Sequence, residues 1–94
     1  MKHYELLKLV PGVDPEEIQE KLWKDYRKLS DTLDWLNHPV IHRSCREEDG
    51  YDLMVVIEVD KEELINDLMA DPQLRKQEET VKPFIQERKT FNHY

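Results

Sequence analysis

The chain has 94 residues, of which 21 are acidic and 14 basic, giving a formal net charge of −7. This length suits one domain over 1–94, and so small a domain gains from burying more surface against a second copy. The acidic balance argues against a general nucleic-acid or anionic-membrane binder, which meets phosphate with a basic face, and the single cysteine, Cys45, excludes an intrachain disulfide or a thiolate metal cluster.

Met1 to Glu5 lack the apolar region of a signal, and no apolar run approaches the ~20 residues that span a bilayer, so a cytoplasmic location is expected. Residues 2–10 alternate as a strand, with His3, Glu5, Leu7 and Leu9 on one face and Tyr4, Leu6, Lys8 and Val10 on the other. Pro11-Gly12 ends it. Asp14-Pro15-Glu16-Glu17 predicts a helix start, with Asp14 as cap, Pro15 at the first helical position and Glu17 closing a capping box. Ile18, Leu22, Tyr26, Leu29, Leu33 and Leu36 form its apolar stripe, with Trp23 and Trp35 beside it. Asn37-His38-Pro39 is read as its stop.

Residues 40–46 alternate weakly and predict an edge or partly wet strand. A turn at 47–50 then leads into the strongest strand, 51–59, so a hairpin is expected. Tyr51, Leu53, Val55, Ile57 and Val59 share one face of that strand; Asp52, Met54, Val56 and Glu58 share the other. The second face is half apolar and needs cover, which suggests a partner subunit. Asp60, with Glu63 three residues on, is read as the cap of a short helix through Leu64 and Leu68, broken at Asp71-Pro72. A second helical piece runs from about Pro72 to Gln86, with Pro83 kinking it, and residues 88–94 predict a last strand. The order is α+β and ferredoxin-like, β-α-β-β-α-β, with an antiparallel sheet and helices on one face.

Several local features, taken in order, carry a resemblance. Lys2-His3 opens the first strand with Lys8 after it, Gly12-Val13 precedes the capped helix, and Gly50-Tyr51-Asp52-Leu53 opens the third strand. Asp71-Pro72 stands where a His-Pro is common, and Lys82-Pro83-Phe84 precedes the last strand. On these features the whole chain resembles the stress-responsive α/β-barrel (Dabb) family of the dimeric α/β-barrel superfamily. The resemblance implies a homodimer in which two ferredoxin-like protomers pair their sheets into a barrel, covering Met54 and Val56. A polyketide-cyclising plant member of the family uses a histidine–tyrosine pocket inside one protomer. By that resemblance the first-strand histidine is His3 and the first-helix tyrosine is Tyr26. Leu53 and Leu74 stand where histidines are expected and Leu68 where a tyrosine is expected, so the catalytic pair is absent.

The ligand-binding candidates are therefore His3, Trp23, Tyr26, Tyr51 and Leu53, around a small apolar or aromatic ligand. His3 is the one catalytic candidate, as acid, base or ligand-orienting group; the plainer reading is a histidine hydrogen-bonded beneath the helices. Trp23, Tyr26, Trp35 and Tyr51 read equally as core or dimer contacts. His38, His42 and His93 lack metal-ligand spacing, so no metal is expected, and no cofactor. Cys45, beside Arg43 and Arg46, is read as a half-buried, inert thiol. The first functional expectation is a ligand-binding or stress-associated module. The alternative is a small cofactor-independent enzyme of cyclase, lyase or monooxygenase type, acting on an aromatic or polyketide-like substrate with His3 in proton transfer and Tyr26 or Tyr51 orienting it. A purely structural oligomer is the third.

Overall fold

A computed structural model describes residues 1–94. Four strands, β1 (Lys2–Leu9), β2 (Leu36–Arg43), β3 (Leu53–Val59) and β4 (Ile85–His93), alternate with three helices, α1 (Pro15–Thr32), α2 (Glu63–Ala70) and α3 (Pro72–Val81). The strands form one antiparallel sheet in the order β2-β3-β1-β4, which is the ferredoxin-like arrangement the element order predicts. No helix is long and apolar enough to cross a membrane.

Alternation decides which side chains face the helices. In β1 every second residue from His3 to Leu9 is buried, and in β3 so are Leu53, Val55, Ile57 and Val59. Register aligns the two sets: His3 opposes Ile57, Glu5 opposes Val55 and Leu7 opposes Leu53. Ile18, Leu22, Tyr26 and Leu29 of α1, with Leu68, Leu74 and Val81 of α2 and α3, close over them as one apolar cluster. Leu29, Val55, Ile57 and Leu68 are completely inaccessible to solvent. The opposite face of the sheet has no helices. Its middle is apolar, with Val56 of β3 set between Val40 of β2 and Tyr4 of β1, and Tyr4 set beside Phe91 of β4. Val40 is 41% exposed and Phe91 64%.

Element ends depart from the expectations in places. Helix α1 stops at Thr32, before Leu33 and Leu36. Leu33 is already extended (φ −107°, ψ 106°), while its amide still donates to the Leu29 carbonyl. Leu36 is buried as the first residue of β2, where its place in the core happens to continue the helical spacing. Asn37-His38-Pro39 therefore lies within β2 and does not stop a helix. β2 is an edge strand, where a proline costs no interior ladder bond, and its pairing with β3 shifts between Asn37 and Val40. Strand β3 begins at Leu53, later than expected, and Asp52 just before it ties the turn to both neighbours, its carbonyl accepting from the Ser44 amide at 2.9 Å. The Asp52 carboxylate accepts from the Leu9 amide at 2.7 Å, and the Asp52 amide donates to the Leu7 carbonyl at 2.9 Å.

Asp14 caps α1 by accepting from the Glu16 amide at 3.0 Å. Asp60 does not cap α2. Its carboxylate accepts from the Asn37 side-chain amide at 3.1 Å, and α2 begins after Glu62 with no side-chain cap. Asp71 caps α3 instead, accepting from the Gln73 and Leu74 amides at 2.9 and 3.0 Å, with Pro72 opening the helix. Helix α3 ends at Val81, short of Gln86, since the Pro83 ring cannot follow an α-helical turn. Lys82–Phe84 form a 3₁₀ turn, and β4 starts at Ile85, earlier than residue 88. Cys45 is exposed on the β2–β3 connection, not half-buried.

Candidate functional site

Beneath the helices, a group of polar side chains interrupts the apolar layer. β1 supplies His3 and Glu5, which share the parity of Leu7 and Leu9 and so are carried inward, each only 1% exposed. β4 supplies Arg88 and Asn92, opposite Leu7 and His3 in the sheet. α1 supplies Tyr26, one turn from Leu22 and Leu29, and α3 supplies Glu78.

Glu5 is the hub. Its Oε2 accepts from the Tyr26 hydroxyl at 2.7 Å. Its Oε1 lies 2.7 Å from the Arg88 guanidinium and 3.8 Å from His3 Nε2. Arg88 Nη2, which carries two hydrogens, donates to Glu78 at 2.7 Å; its 2.7 Å contact with Glu5 Oε1 is an ion pair that falls short of hydrogen-bond alignment. On the far side, His3 Nδ1 donates to Asn92 Oδ1 at 2.5 Å.

These neighbours set the charge states. Burial pushes the Glu5 carboxyl up, but His3, Arg88 and Tyr26 together outweigh it and hold the group below its ordinary 4.5. Burial pulls the His3 imidazole down, yet Glu5 and Asn92 outweigh that and hold it above 6.5. Tyr26 is raised well above 10.0, first by burial and then by the carboxylate it faces, so it stays a neutral donor. The arrangement keeps an ionised carboxylate in an apolar layer, with a proton-bearing group on each side.

A cavity of about 340 Å³ opens beside this hub, between α1, α3, β1 and β4. Glu5, Tyr26 and Arg88 form its polar floor, and Leu22, Leu74 and Val81 are among its apolar walls. The size lies at the lower end of the range for small-molecule sites.

Of the residues singled out in the sequence, Tyr26 lines this cavity. His3 stands behind it, joined through Glu5. Trp23 is 39% exposed on the outer side of α1, under the Arg27 guanidinium at 5.7 Å. Tyr51 sits at the opening of β3, with Lys89 over its ring at 5.8 Å. Leu53 is buried against Leu7 in the sheet. Leu68 and Leu74 are packed into the core, with Leu74 reaching the cavity wall. Glu5, Arg88, Glu78 and Asn92 were not anticipated as site residues. Only Glu5 carried a signal, as an acid in register with an apolar face. No cluster of three His, Cys, Asp or Glu side chains is placed to hold a metal ion.

A helix-backed antiparallel sheet, bare on its other face and enclosing a polar-floored cavity, defines a ferredoxin-like protomer of the α/β-barrel type. The chain matches the Stress responsive A/B Barrel Domain, Dabb, over residues 1–93, and it belongs to that family. Among solved structures it is similar to an Arabidopsis thaliana protein, with 19% identity over 99% of this chain and 92% of that one and a TM-score of 0.82. It is also similar to a dimeric Bacteroides fragilis protein of unknown function, with 12% identity, 98% and 92% coverage and a TM-score of 0.83. A third, the hydroxynitrile lyase of Passiflora edulis, is 10% identical over 98% of this chain and 89% of that one, with a TM-score of 0.78. At such identities the likeness is one of fold. No curated protein matches the chain.

Proposed function

We propose that this Dabb protein is a cytoplasmic ligand-binding module that works as a homodimer and holds a small molecule in the cavity between α1, α3 and the β1–β4 edge. One observation carries the reading: the cavity sets the buried Glu5 carboxylate and Tyr26 hydroxyl, beside the more exposed Arg88, against apolar side chains such as Leu22, Leu74 and Val81, a combination that orients a small molecule. Tyr26 would contact the ligand, and His3 would act on it through Glu5. Trp23, Tyr51 and Leu53 lie outside the cavity, so their proposed part is to shape the fold around it. The bare apolar sheet face supports the dimer, as does the dimeric state of the Bacteroides fragilis neighbour. The acidic surface favours a small molecule over nucleic acid or membrane as the partner.

The enzyme reading, with His3 in proton transfer, has less support. His3 is 3.8 Å from Glu5 and does not itself line the cavity. Native mass spectrometry of protein gently purified from its own host tests the binding reading. The expected spectrum shows the dimer with one small molecule per protomer. A dimer that carries no added mass, and takes up none from a fragment library, overturns it.

A further inference from the structure

The cavity floor has one acceptor too many. Arg88 serves two carboxylates at 2.7 Å each, Glu5 and Glu78, and is aligned as a hydrogen-bond donor with Glu78 alone. Glu5 Oε1 is left without a donor although its side chain is 2% exposed. The nearest other donor, His3 Nε2, is 3.8 Å away and itself unpartnered. Gln77, half-buried and also in the cavity lining, offers a second acceptor, Oε1, with no partner. A buried acceptor without a donor is costly, more so when charged, so a ligand donor delivered to these atoms is favoured. The rest of the lining adds the same sign: it includes Asp25, Glu79 and Glu87 with Lys82 as a balancing cation, and Asp25, itself buried, is already paired with Lys21.

We propose that the cavity selects a small primary amine with an apolar body, the ammonium group donating to Glu5 Oε1 and Gln77 Oε1 and the body lying against Leu22, Leu74 and Val81. This rests on the cavity being a ligand site. An ammonium supplies both missing donors and the positive charge that Arg88 must otherwise divide between two carboxylates. A carboxylate or phosphate of the same shape would bring a further negative charge beside Glu5 and no donor. A neutral alcohol would supply one donor and no charge, and so falls between the two.

Three probes of one shape test this near neutral pH: 2-phenylethylamine, 2-phenylethanol and phenylacetate, titrated by calorimetry and by NMR shifts of the Leu22, Tyr26 and Leu74 resonances. The amine should bind about tenfold or more tightly than the alcohol, as a charge-assisted hydrogen bond in a partly buried site implies, and phenylacetate should not bind. Glu5→Gln keeps an oxygen for the Tyr26 hydroxyl while removing the charge, and should bring the amine and the alcohol to about equal affinity. Glu78→Gln, at a part-exposed position, frees Arg88 for Glu5 and should also weaken the amine, which keeps the test open if Glu5→Gln fails to fold. Phenylacetate binding in the cavity as well as the amine, or an amine indifferent to Glu78→Gln, overturns the selection while leaving the ligand site standing. If none of the three shifts those resonances, the cavity is not a ligand site, and both the selection and the function above fail.

Discussion

Glu5 shows how one residue sets the behaviour of a small core. An ionised carboxylate beneath the helices is tolerated because Tyr26, Arg88 and His3 converge on it from three elements, and removing any of them leaves a charge or donor unanswered. Tyr26→Phe keeps the ring in place and deletes only the donor to Glu5, so it should cost about 1.5–3 kcal/mol, the range for a hydrogen bond to a charged group, read by chemical denaturation. The pH dependence follows from the two titrating members. Glu5 is held below 4.5, so its stabilisation is present above 4.5 and is lost as the pH falls through the lower folded value. His3 is held above 6.5, so its stabilisation is complete below 6.5 and is lost as the pH rises through the higher folded value. Melting temperature should therefore decline on both sides of that window, and Glu5→Gln should flatten both flanks; an unchanged profile in the variant would remove Glu5 from the account. The inward direction of Glu5 was legible from its place between His3 and Leu7. Its partners were not, because Arg88 reaches it, and Asn92 reaches His3, only through the β1–β4 register, and that register contains an irregularity between Lys8 and Leu9 which no local pattern reveals.

Among the elements, helix starts were the most legible and helix ends the least. Asp-Pro marks both α1 and α3, because the aspartate accepts the free amides of the first turn while proline has none to waste. Asp60 looked equivalent and is not, since Asn37 competes for its carboxylate across the molecule. Asp71→Ala should therefore destabilise the protein by about 1 kcal/mol through loss of two capping bonds, seen as a lower denaturation midpoint with an unchanged slope, whereas Asp60→Ala should cost only what an exposed side-chain contact is worth. Equal effects would mean that the Asp71 bonds to Gln73 and Leu74 do not anchor α3. The end of α1 was misread for a simple reason: Leu33 and Leu36 continue the apolar period, and periodicity alone does not register that the backbone has already turned into β2 between them.

At the scale of the whole molecule the ferredoxin-like order of elements was visible from turn residues and alternation alone, and so was the half-apolar second face of β3. The cavity was not, because its position depends on α3 ending at Val81 and on β4 beginning at Ile85. If the bare face is the dimer contact, Val56 lies at its centre, flanked in the sheet by Val40 and Tyr4. Val56→Asp should then convert a dimer to a monomer in sedimentation velocity at micromolar concentration. The monomer's helix-side core should stay intact, because that side chain points away from it. A variant that still sediments as a dimer would put the contact elsewhere.

The register shift in β2 has a consequence for how copies of this chain can be joined through their backbones. A sheet grows without limit only when one border of each copy docks on the opposite border of the next. Here the borders are β2 and β4. β2 is blunted by His38 at φ 50°, by Pro39, which lacks an amide hydrogen, and by the slipped register around them. That leaves β4, regular in its pairing with β1 from Glu87 to His93, as the border more open to backbone docking, and two β4 strands that met would use up each other's free groups. Head-to-tail growth through the two sheet borders is therefore disfavoured.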